Sequence, residues 1–126
     1  MNDRQTHVRH GFGTVRPYVY GHLELARFVQ TVFGARELER TQNAKGGVHS
    51  ELRIGDSVVV LEMMASPPAT PGQLCVYVED VDATYARALA AGGTSRQAPE
   101  DKPYQERGAG IVDPSGNTWW LSTWRP

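Results

Sequence analysis

A single cysteine, Cys75, in 126 residues leaves no partner for an internal disulfide and too few thiolates for a cysteine-built zinc site. No apolar run approaches the roughly 20 residues needed to cross a bilayer. The N-terminal stretch MNDRQTHVRHGFGT lacks the apolar segment of a secretory signal. Charge of one sign is missing too: 13 Lys and Arg face 14 Asp and Glu, for a net −1. Nucleic acid and anionic membrane are therefore not expected as partners. A reduced, cytoplasmic setting is the default these absences leave.

What is there is ordinary in amount and regular in order. With 40% apolar and 21% charged residues, the chain has the composition of a globular domain. At this length, folding buries roughly two-thirds of the unfolded surface, enough for one core. Met1 to Thr14 is polar and aperiodic and reads as a flexible arm. One domain is expected over residues 15–126. Val15 to Tyr20 reads as a strand. A helix follows over His22 to Phe33, with Leu25, Phe28, Val29 and Val32 on one stripe and Gly34 as its stop. Arg36 to Gln42 reads as a strand, Asn43 to Gly47 as a turn. Val48 to Ile54 and Ser57 to Met63 form strands around a Gly55-Asp56 hairpin signal.

Residues 64–72, MASPPATPG, break the pattern as a proline-stiffened linker. The same order then restarts. Gln73 to Glu79 is a strand, and Asp80 is placed to cap a helix over Val81 to Ala91. Thr94 to Gln97 is a short strand, Ala98 to Tyr104 a loop, and Ala109 to Val112 a strand. The turn Asp113-Pro-Ser-Gly-Asn117 leads into a last strand from Thr118. The fold class is thus α+β: two tandem βαβββ modules, residues 15–63 and 73–124, whose uncovered sheet faces form an open barrel-like cleft. Aligning Gly55 with Gly116 sets Val58-Val59-Val60 against Trp119-Trp120-Leu121.

The order of elements, the phrase VYVEDVDATYARALAAGG and the ending GIVDPSGNTWWLST resemble the vicinal oxygen chelate superfamily of glyoxalases, bleomycin-resistance proteins and extradiol dioxygenases. RPYVYG, VFGARELER, ELRIGDSVVVLEM and DPSGNTWWLST look like its PhnB-like branch. The resemblance implies paired βαβββ modules, a homodimer, and in metal-dependent relatives a quartet. In that quartet the first strand of each module gives a His or Gln, and the last strand a Glu. Here the glutamate positions fall on Trp120 and, by the same alignment, Val59, neither of which donates oxygen to a metal. Gln73 stands where one His or Gln ligand is expected, and Arg16 to Tyr20 offers no His.

Alternation along the strands selects the cleft residues. His49, Glu51 and Arg53 share one face. Gln73, Cys75 and Tyr77 share another, as do Thr118, Trp120 and Ser122. Val59, Leu61 and Met63 are assigned to the inner face of the first module, which sends Glu62 outside the cleft. Tyr18 or Tyr20 is a further aromatic wall, and Tyr104, Glu106 and Arg107 fall at the mouth. Arg107 suits an anionic group or is a solvated charge. His49 and Glu51 read as an acid–base or ligand pair; alternatively Glu51 and Arg53 form a surface ion pair and His49 is simply half-exposed at the sheet edge. Gly108 and Gly110 precede no helix, so they do not read as a phosphate loop.

Three functions compete. The first is a metal-free protein that holds a small aromatic or polar molecule between Tyr18, His49, Glu51, Arg53, Gln73, Tyr77, Tyr104, Arg107, Trp120 and Ser122, with no cofactor. The second is a lyase, isomerase or dioxygenase with a divalent metal on His49, Glu51 and Gln73. The third is a dimeric interaction module without a ligand.

Overall fold

The computed structural model describes residues 6–44 and 46–126. The first five residues of the expected arm, and residue 45 within the Asn43 to Gly47 turn, lie outside them. The element order is β1 (Tyr18–Gly21), α1 (Leu25–Phe33), β2 (Arg36–Gln42), β3 (Val48–Ile54), β4 (Ser57–Met63), β5 (Gln73–Tyr77), α2 (Val81–Ala90), β6 (Thr94–Lys102), β7 (Glu106–Val112) and β8 (Thr118–Trp124). They form two mixed four-stranded sheets, ordered β1-β4-β3-β2 and β5-β8-β7-β6. In each, the module's first strand lies parallel to its last and the other pairings are antiparallel. Neither sheet closes into a barrel.

Local chemistry explains the boundaries. Helix α1 buries Leu25, Ala26, Phe28, Val29 and Val32, and ends where Gly34 takes φ 64°. Helix α2 starts where the Asp80 carboxylate accepts from the Ala83 N–H at 3.1 Å. Strand β6 is longer than the sequence reading allows, running through Pro99 to Lys102 in place of a loop. It is an edge strand whose register shifts between Gln97 and Glu100, so a residue without an N–H costs no ladder bond there.

Both helices and one face of each sheet share a single core, which includes Leu52, Val59, Leu61 and Met63 from the first module and Ile111, Trp119 and Leu121 from the second. This reverses one expectation. Val59, Leu61 and Met63 lie on the helix side with Ser50 and Leu52, while Glu62 shares the open face with His49, its cross-strand partner. The reason is the face on which each strand starts. Strands β4 and β8 both begin two residues after the aligned glycine, but Ser57 starts β4 on the helix side and Thr118 starts β8 on the open side, so matching the glycines exchanges the faces. The open-face residues of β4 are Val58, Val60 and Glu62.

The Asp113–Asn117 turn ties the halves together. Buried Asp113 accepts from the N–H groups of Ser115 and Asn117 and from the Trp119 indole N–H at 2.8 Å. Asn117 donates to the Tyr20 carbonyl at 3.0 Å and accepts from the Gly72 N–H at 2.8 Å. Ser115 accepts from the His22 N–H at 2.9 Å. The helices also meet: Arg87 donates to the Val32 carbonyl, and the Phe33 and Trp119 rings lie 5.2 Å apart.

Candidate functional site

Two open faces carry the polar and aromatic side chains. On the first sheet, His49 stands between two carboxylates, with Nε2 2.9 Å from Glu51 and Nδ1 against Glu62. Ionised carboxylates only accept, so both ring nitrogens must donate, which makes the ring an imidazolium. The Glu51 bond chiefly raises the His49 pKa; partial burial opposes it and Glu62 adds to it. Part of the N-terminal segment covers this face. Arg16 donates to Glu51 at 3.0 Å and to the carbonyls of Arg9, Phe12 and Gly13. The Arg53 guanidinium sits 4.4 Å from the Phe12 ring centre, and Arg9 pairs with Glu39. His10 Nε2 lies 3.8 Å from both Glu39 and Glu51.

On the second sheet, Trp120 is half-buried and lies across Gly110. A Cβ at position 110 would come within 2.6 Å of the indole. Gly110 therefore makes room for the ring, whereas a Cβ at Gly108 would meet the Lys102 side chain, a distinction the spacing of GAG alone does not reveal. The indole N–H donates to Gln73 Oε1 at 3.0 Å, and the Arg96 guanidinium lies 5.4 Å from the ring centre while donating to Thr118. Beside Trp120, a cavity of about 350 Å³ is bordered by Lys102, Tyr104, Glu106, Gly108 and Ser122. It meets a second cavity, of about 390 Å³, at Cys75; Pro17, Val58 and Tyr77 line that one. The Tyr77 hydroxyl donates to Glu106 at 2.5 Å, and that bond raises the Tyr77 pKa.

Sequence-selected residues are thus divided. Gln73, Tyr77, Tyr104, Trp120 and Ser122 gather on the second sheet's open face. His49, Glu51 and Arg53 gather on the first, and Tyr18 lines a separate opening beside Glu62 and the linker. Arg107 alternates onto the helix side, where Asp82 of α2 accepts from it at 2.7 and 2.9 Å and Asp101 at 3.1 Å. Those bonds hold the Asp82 carboxyl below its ordinary pKa. Glu62, which the sequence reading placed outside, belongs to the His49 cluster. Arg96 and Lys102 were not singled out, because the long edge strand that carries them was not recognised as one.

Residues 21–121 match the model of the Glyoxalase/Bleomycin resistance protein/Dioxygenase superfamily. The chain belongs to that superfamily. Uncharacterized protein Mb0911c of Mycobacterium bovis is 35% identical over 107 residues, spanning 75% of this chain and 70% of that protein. Its Mycobacterium tuberculosis counterpart Rv0887c is equally similar, and the aligned region spans 63% of its length. Among solved structures, TioX from Micromonospora sp. ML1 superposes with a TM-score of 0.68 at 27% identity, covering 88% of this chain and 95% of that one. The fosfomycin resistance protein FosX from Mesorhizobium loti shares the fold alone, at TM-score 0.66 and 20% identity over 88% of this chain and 91% of its own.

The superfamily's metal quartet can be tested against the side chains present. The open-face residues of β4 and β8 are Val58, Val60 and Glu62, and Thr118, Trp120 and Ser122. Glu62 is the one carboxylate, and it is engaged with His49. Gln73 is engaged with Trp120, and both nitrogens of His49 face carboxylates. Among the described residues, no group of three or more His, Cys, Asp and Glu side chains is disposed to hold a metal ion. This donor set does not fit the quartet, and His49, Glu51 and Gln73 do not converge on a common point. Nor, among the described residues, is any helix long and apolar enough to cross a membrane.

Proposed function

We propose that this chain binds a small planar organic molecule, aromatic or polar, against the open face of its second sheet, without the superfamily's metal quartet. The observation that carries this reading is Trp120. Its indole lies flat on Gly110, is held in orientation by Gln73, and borders a cavity of about 350 Å³. A fixed aromatic wall with polar side chains placed around it, here Lys102, Glu106 and Ser122, gives a small molecule both a surface to stack on and groups that orient it. The superfamily's name includes a bleomycin resistance protein; sequestration of a small compound is the role this reading assigns. The phrases ELRIGDSVVVLEM and DPSGNTWWLST favour the PhnB-like branch, and the working form is a cytoplasmic homodimer, in which the exposed Tyr18 would be covered.

The test is a fluorescence screen of planar heterocycles on a Trp124→Phe background, which leaves buried Trp119 and Trp120 as emitters. Binding that changes emission in this background, and is weakened about tenfold or more by Trp120→Ala, supports the site. Equal binding by the Trp120→Ala variant places the ligand elsewhere and ends the proposal.

A further inference from the structure

The cavity beside Trp120 has a polarity of its own. Glu106 projects from β7 onto the open face, in register with Lys102 and two residues from Gly108. Lys102 does not neutralise it: its ammonium is given to Glu100 at 2.7 Å. Arg107, the next residue, faces the other side of the sheet and is taken by Asp82 and Asp101. Arg125, near the end of β8, pairs with Asp101. The one hydrogen bond Glu106 receives comes from a neutral phenol, Tyr77. No cation among the described residues pairs with this carboxylate.

Around it stand aromatic rings in unusual exposure. Tyr77 is 63% and Tyr104 62% exposed, and the Trp120 indole closes a third side. Faces of electron-rich rings attract cations, and a carboxylate at the same place adds a full charge. The hydrogen bond to Glu106 is the main cause that raises the Tyr77 hydroxyl pKa, and the charge of that carboxylate adds to it.

We infer that the Trp120 cavity selects an organic cation: a planar molecule carrying a positively charged ring nitrogen or an ammonium group, whose charge is received by Glu106 between Tyr77 and Tyr104. This rests on the Trp120 wall being the binding face. The groups present supply no complementary site for a carboxylate or phosphate, since Lys102 is already paired and Arg96, which does not border the cavity, is bonded to Thr118. A permanent cation fits as well as a protonated amine, because Glu106 needs charge and no particular donor.

Calorimetric titration with three matched probes tests it at pH 8: N-methylquinolinium, neutral quinoline and quinoline-2-carboxylate. The cation is expected to bind about tenfold more tightly than quinoline, with the anion weakest, and the preference to shrink with added salt. Glu106→Gln keeps an acceptor for Tyr77 and should remove the preference, the cation losing far more affinity than quinoline. Tyr104→Ala should weaken the cation more than the neutral probe. Equal binding of cation and quinoline, or a preference for the anion, would overturn the inference while leaving the Trp120 wall standing. A preference that survives Glu106→Gln also overturns it. Failure of all three probes to bind removes both.

Discussion

At the scale of single residues, the molecule contains two side chains whose state is dictated by what lies against them. His49 is held as an imidazolium by two acceptors. Its folded pKa lies above the ordinary 6.5, so the stability it adds is complete below that value and fades as pH rises through the folded one. Nuclear magnetic resonance should place its titration above 6.5, and Glu62→Gln should lower it by removing one acceptor. Denaturant midpoints should decline across the same interval, and His49→Gln should flatten the decline. Trp120 is dictated by a missing side chain. Gly110→Ala sets a methyl within 2.6 Å of the indole and must displace it. The expected cost is about 1–3 kcal/mol in chemical denaturation, with a shift in indole emission. Neither state was readable in advance. Glycine spacing names no occupant, and His49 could be paired with Glu62 only once the strand register was known.

At the scale of elements, the sheets were the legible part. Period-2 alternation, the Asn43 to Gly47 turn and Gly55-Asp56 locate β2, β3 and β4 to the residue. Which face each residue takes was less legible in β4. The two hairpins look alike when their glycines are matched, yet Ser57 begins β4 on the helix side and Thr118 begins β8 on the open side. Strand β6 escaped because Pro99 speaks against a strand everywhere except at an edge. The Asp113–Asn117 turn is the element on which most depends. Asp113→Ala would strand the Trp119 indole N–H in the core and release the Ser115 and Asn117 backbone groups. A loss of about 2–4 kcal/mol is expected, measured by urea unfolding.

At the scale of the whole molecule, the question is how an aperiodic N-terminal segment comes to pack on the open face of the first sheet. Its composition gave no sign of packing, because the contacts are made by isolated side chains: Arg9, Phe12 and Arg16. Arg16 holds three carbonyls of the segment and one carboxylate of β3 at once. Arg16→Ala should therefore speed amide exchange over residues 9–13 while β3 and β4 stay protected. Exchange that is unchanged would mean that the segment is held by Phe12 and Arg9 without it.

The bond from Asn117 to the Tyr20 carbonyl carries a further consequence. One amide side chain from the second repeat grips the first strand of the first, and with its other end it holds the linker. A chain cut in the proline-rich stretch would thus yield two fragments that each expose a raw core face, Phe33 on one and Trp119 on the other. They should reassemble only with each other, so that co-expressed halves complement and neither half alone survives purification. Duplication of the plan has left two copies that can no longer live apart.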